Sequence, residues 1–202
     1  MTLATYATVS RLGRVVRTGE VAAALKTSLS NASRSLRRLE AEGLARKVRQ
    51  GIWIIGTEAI DPRMIADEIT RPYPAYVSFM SALSAHGMID QMPRDITIAS
   101  LDAAKRVRTF LGTYAIRHLP PQLFGGWIER DGVKLATPEK ALFDLAYVSA
   151  VHLGRARRIP ELDLPRTFDH KQLARWLRAI PSARVRTLTK RAVDEFLHRA
   201  TR

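Results

Sequence analysis

The side chains most suited to chemistry are two carboxylates, a scatter of histidines and a dense group of arginines. Glu139 and Asp144 fall on one predicted helix, but five residues apart they point about 140° away from each other. Helix-dipole compensation and a solvated or hydrogen-bonded face account for them better than an acid–base pair. The five histidines are His86, His118, His152, His170 and His198. They show no HxxxH or HExxH spacing, and there is no cysteine to join them. Neither a metal site nor a cofactor is expected. His86, just before Gly87, reads as a helix-end residue, and His118 as a strand residue. Gly112 and Gly125-Gly126 sit in no GxxxxGK[ST] phosphate loop, and no kinase-type glycine loop with HRD partners is present. A Gly-Ser with a paired Asp-x-Asp for nucleotidyl transfer is missing too. No catalytic residue can be assigned.

The arginines have a pattern. Over residues 18–56, Val21, Ala24 and Leu25 give a short amphipathic helix with Thr18 as a plausible N-cap. Thr27-Ser28 breaks it. Leu29, Ala32, Leu36 and Leu39 then form the buried stripe of a second helix, placing Ser30, Arg34, Arg37 and Arg38 on the opposite face. Gly43 ends this helix. Residues 44–48 and 52–55 read as two strands joined through Arg49-Gln50-Gly51. Helix, turn, basic helix and basic-tipped hairpin make a winged helix-turn-helix pattern, which implies duplex DNA. Ser30, Asn31 and Ser33 would reach base edges or phosphates, Arg34 and Arg37 would contact guanine, and Arg38 a phosphate. Arg46, Lys47, Arg49 and Gln50 would follow the backbone from the wing. The plainer reading, an Arg-rich helix face that is only solvated, stands beside this one.

The flanking elements are less distinctive. A helix over residues 3–12 is expected to pack behind the helix-turn-helix. Asp61-Pro62 opens a helix over residues 61–69, and residues 76–86 read as an apolar helix stopped by Gly87. Residues 96–99, 106–110, 114–119, 127–130 and 133–136 are strand candidates, the last two joined by the Asp131-Gly132 turn. Thr137-Pro138-Glu139 starts a helix, Asp169 caps another, and Pro181-Ser182 opens the last. The fold class is therefore α+β: a winged helix-turn-helix over residues 1–57, then a mixed α/β domain over residues 58–202 with a small sheet and C-terminal helices.

Charge is distributed unevenly. The net +14 over 202 residues divides into +7 for residues 1–56, −1 for 57–150 and +8 for 151–202. Two basic surfaces around a neutral middle suit polyanionic partners. The second would comprise Arg155, Arg157, Arg158, Arg184, Arg186, Lys190 and Arg191, whose roles range from extending a DNA footprint to meeting an acidic protein or solvating helices. The longest charge-free apolar run, residues 75–89, contains His86 and is too short to span a membrane. No signal peptide is evident and nothing argues for an oxidising compartment, so a cytoplasmic location is expected.

Residues 76–145 carry a resemblance. Tyr76-Val77-Ser78, Ser81-Ala82-Leu83, His86-Gly87, the Pro93-Arg94-Asp95-Ile96-Thr97-Ile98-Ala99 stretch and Arg117-His118-Leu119 are similar to the second domain of the AbiEi-type antitoxins. So are Asp131-Gly132-Val133-Lys134-Leu135-Ala136-Thr137-Pro138-Glu139-Lys140-Ala141-Leu142 and Asp144-Leu145. With the winged helix that the family also carries, the resemblance covers roughly residues 5–200. It implies the antitoxin half of a two-gene, type IV-like toxin–antitoxin system whose partner is a nucleotidyltransferase-like toxin. The winged helix would repress the operon's own promoter at inverted repeats, and the C-terminal domain would neutralise the toxin, in many members without a stable complex. For some members a phosphorylating activity on the toxin has been proposed, which leaves an atypical protein kinase as one alternative. A ligand-sensing transcriptional regulator with no toxin is the other.

Overall fold

The computed structural model describes residues 2–153 and 162–200. Among them are eight α-helices and two sheets, so the chain is mixed α+β. No helix among them is long and apolar enough to cross a membrane. The chain divides into two compact units, Met1–Glu68 with Thr109–Leu111, and Ile69–Arg108 with Gly112–Arg202.

The first unit runs α1 (Thr2–Ser10), β1 (Val15–Arg17), α2 (Thr18–Ala24), α3 (Leu29–Ala41), β2 (Ala45–Arg49) and β3 (Ile52–Ile55). The strands form an antiparallel sheet in the order β1-β3-β2, with Val16 and Lys47 both opposite Trp53. Val9, Val16, Val21, Ala32, Leu36, Leu39, Trp53 and Ile55 make its core. Strand β1, three residues long, falls outside the expected elements, and so short a run carries no period. Thr18 is the first residue of α2, with Arg17 at the cap position. Its hydroxyl instead accepts from Trp53 Nε1 at 3.0 Å, tying α2 to the hairpin. The Glu20 carboxylate accepts from the Arg17 backbone N–H. Ser28 caps α3 by accepting from Asn31 N at 3.2 Å. At the other end, Leu44 N donates to Leu39 O and Gly43 N to Glu40 O, with Gly43 at φ +73°. This is a Schellman ending, and it needs the left-handed conformation that glycine adopts without strain. Beyond β3, Asp61 caps a 3-10 turn, Pro62–Ile65, that leads into α4 (Ala66–Thr70).

The second unit contains β4 (Ala75–Val77), α5 (Phe79–Ala85), β5 (Ile96–Ser100), β6 (Lys105–Thr109), β7 (Gly112–His118), β8 (Trp127–Arg130), β9 (Val133–Ala136), α6 (Pro138–Leu153), α7 (His170–Arg178) and α8 (Ala183–Ala200). Its sheet has the order β6-β7-β5-β4-β9-β8, parallel at β5/β7 and β4/β9 and antiparallel at β4/β5 and β8/β9. The expected helix over residues 76–86 is corrected: its first turn is the strand β4, and the helix begins at Phe79. A strand in the middle of a sheet is apolar on both faces, so its sequence merges with the buried helix after it. The break is in the backbone, where Phe79 takes φ +55°. Asp131 and Gly132 turn β8 into β9 with φ +51° and +74°. Helix α6 carries the core of this unit, with Ala141, Leu142, Phe143, Leu145 and Ala146 all buried. The Asp169 carboxylate accepts from Lys171 N and Gln172 N and starts α7.

Candidate nucleic-acid interface

Helix α3 separates its residues cleanly. Ala32, Leu36 and Leu39 are fully buried, while Ser30, Asn31, Arg34, Arg37 and Arg38 are exposed and Ser33 is half-buried. Leu29 does not join the buried stripe. It is 63% exposed, because the core covers α3 only from Ala32 onward and leaves the first turn in solvent. The exposed face thus begins with a leucine and continues through hydroxyl, amide and guanidinium groups.

The hairpin is held beside this face. Glu40, near the end of α3, accepts a hydrogen bond from Lys47 N at 2.9 Å, which fixes β2 against the helix. A bulge between Lys47 and Arg49 and the φ +81° of Gly51 turn the strand tip. Arg46, Lys47, Arg49 and Gln50 are exposed. The Lys47 ammonium stands over the Trp53 ring, 5.7 Å from its centroid, within reach of a cation–π attraction. Across β1, Arg17 Nε pairs with Glu68 at 2.5 Å. That arginine is committed within the unit and differs from the arginines of α3.

The chain has no match in either comparison. No protein-family model matches it, and no curated protein does.

The basic C-terminal group is only partly in view. Arg155, Arg157 and Arg158 lie outside the described residues. On α8, Arg184, Lys190 and Arg191 are exposed. Arg186 is exposed too, but its guanidinium donates to Ile180 O at 3.0 and 2.7 Å and to Pro181 O at 3.3 Å. It closes the C-terminal end of α7, where a cation is favoured by unpaired carbonyls.

The two carboxylates of α6 are buried and hydrogen-bonded, so of the two faces expected for them it is the hydrogen-bonded one, and not the solvated one, that the structure has. Glu139 accepts from Asp169 N at 2.8 Å and so anchors the start of α7. Asp144 is fully buried and pairs with the fully buried Lys140. Its second oxygen accepts from Tyr76 Oη at 3.0 Å and Ser78 Oγ at 2.7 Å. Burial pushes the Asp144 carboxyl up and the Lys140 ammonium down, each opposed by attraction to the other. Burial, then the neighbouring Asp144 charge, also raises the Tyr76 phenol. The Lys140 ammonium is boxed by the rings of Trp176 at 4.6 Å, Phe143 at 5.0 Å and Tyr76 at 5.5 Å. Gly126 closes the box: a Cβ there would stand 2.7 Å from Trp176 Cζ2, and its φ is +77°. With Tyr76, Ser78, Lys140 and Asp144 all sealed from solvent, the cluster joins β4, α6 and α7 and offers no substrate access. The Lys140–Asp144 spacing of four was visible in the sequence; the strand hydroxyls that complete the cluster had no local signal.

Three of the histidines fill structural positions. His86 caps α5 and its Nε2 lies 2.7 Å from Ala136 O, so the ring donates there. His118 ends β7 with Nδ1 at 3.3 Å from Asp102 O. His170 begins α7, edge-on to Phe168.

Proposed function

We propose that the first unit is a winged helix-turn-helix that binds duplex DNA sequence-specifically, with α3 as the recognition helix and the β2–β3 hairpin as the wing. The observation that carries this reading is the division of α3, with apolar residues sealed and three arginines exposed beside a hairpin bearing three more exposed cations. Arg34 and Arg37 suit bidentate contact with guanine, and Arg38, Arg46, Lys47 and Arg49 suit phosphates. An exposed leucine at the head of a recognition helix fits a thymine methyl, giving Leu29 a role in the groove.

On the resemblance to AbiEi-type antitoxins, the chain is a two-task protein. It represses its own operon through α3, and its second unit neutralises a nucleotidyltransferase-like toxin. The test is co-expression of the chain with the nucleotidyltransferase-like product of its operon, together with a reporter on the operon's promoter. The wild-type chain should restore growth and silence the reporter. The Arg34→Ala/Arg37→Ala variant should restore growth and leave the reporter on. Failure of the wild-type chain to restore growth would refute the antitoxin role, and silencing by the variant would refute the placement of the DNA contacts.

A further inference from the structure

The second unit has a cleft that the DNA reading does not use. It encloses about 600 Å³ on the β5–β7 side of the sheet. Its basic lining is Arg94, Lys105, Arg106 and Arg117, and the carboxylate among its lining residues is Asp95. We propose that this cleft binds a phosphate-bearing small molecule of nucleotide size.

Three features support this. The first is unbalanced charge. Asp95 pairs with Arg106, and Lys105 is engaged by Asp102. Arg94 and Arg117 are exposed and have no side-chain partner among the described residues. Two guanidinium forks facing one cavity match the oxygens of a phosphate group, which arginine binds in bidentate fashion. The second is a rigid wall. Arg117 sits on β7 opposite Ala99 of β5, and on the same pair Thr97 lies opposite Ala115. The Thr97 hydroxyl is already spent, accepting from Ser81 N and donating to Ser78 O. Ligand recognition therefore falls to the arginines. The third is size and mixed lining. Met80, Pro93, Ala104 and Ala115 add apolar surface beside the cations. A cavity of this volume is in the range for small ligands. A bare phosphate would leave most of it empty, and a ring system fills the apolar part.

The test is calorimetric titration of the full chain with ATP, AMP, adenosine and inorganic phosphate. The two nucleotides should bind, and adenosine and inorganic phosphate should bind at least about tenfold more weakly. Arg94→Ala and Arg117→Ala, both at exposed positions, should each weaken nucleotide binding about tenfold or more with the circular dichroism spectrum unchanged. Arg34→Ala in the first unit should leave it intact, so the result is separable from DNA binding. The proposal is overturned if neither nucleotide binds at millimolar concentration, or if the two cleft variants bind them like the wild type. It is overturned equally if inorganic phosphate or adenosine matches the nucleotides, or if a short single-stranded RNA binds the cleft far more tightly than AMP.

Discussion

Asp144 lies one helical turn beyond Lys140 on α6, and the two form an ion pair that solvent does not reach. Tyr76 and Ser78 donate to the same carboxylate from β4 and its end. A buried pair of this kind contributes less net stability than its Coulomb attraction suggests, because both charges are desolvated; removing one partner is costly because the other is stranded.

Asp144→Leu and Lys140→Met should therefore each destabilise the chain by about 3–5 kcal/mol. The double variant should lose less than the sum of the two by about 0.5–3 kcal/mol. Urea denaturation of the four proteins measures this coupling. Strict additivity would show that the two side chains do not act as a pair.

The two leucines of α3 should behave oppositely. Leu36 has no exposure and Leu29 has 63%. Leu36→Ala should cost about 2–5 kcal/mol of stability, and Leu29→Ala within about 0.5 kcal/mol of none. If Leu29 meets a thymine methyl, its variant should lose affinity for thymine-containing operator and bind a deoxyuridine-substituted operator as the wild type does. Equal stability losses at the two positions in a thermal melt would contradict the observed burial.

Asp61 gives a signed dependence on pH. Partial burial raises its carboxyl, but the Arg63 side-chain and backbone hydrogen bonds and the Arg63 charge outweigh this and hold it below the ordinary 3.8. A carboxyl depressed in the folded state stabilises the fold above the unfolded pKa, and that contribution disappears as pH falls through the folded value. Asp61→Asn should remove it, so wild type and variant should diverge in favour of the wild type above the ordinary carboxylate value of 3.8 and converge as pH falls well below it. Parallel stability curves from pH 2 to 6 would contradict the role given to Arg63.

Local signals were the legible ones. The Asp131-Gly132 turn, the Pro138 start of α6, the Asp169 cap and the Gly43 ending act over two to four residues, and the chain obeys each of them. The exposed face of α3 was equally legible, because three buried residues fix the helix phase. What failed depended on distant neighbours. Residues 75–77 form a strand only because β5 and β9 flank them. Leu29 has the right type and spacing for the core but nothing above it. The Lys140–Asp144 cluster and the arginine cleft draw on segments far apart in sequence, so periodicity reveals neither.

Whether α3 reads DNA is decided by a binding titration of the full chain on its own promoter and on a scrambled duplex at several salt concentrations. Arg34→Ala should lose about 1–3 kcal/mol on the promoter and much less on the scrambled duplex. Arg49→Ala should weaken both duplexes alike and flatten the salt slope by about one unit. Promoter binding by Arg34→Ala that equals the wild type at every salt concentration, or a wild type that does not distinguish the two duplexes, would contradict that role of α3.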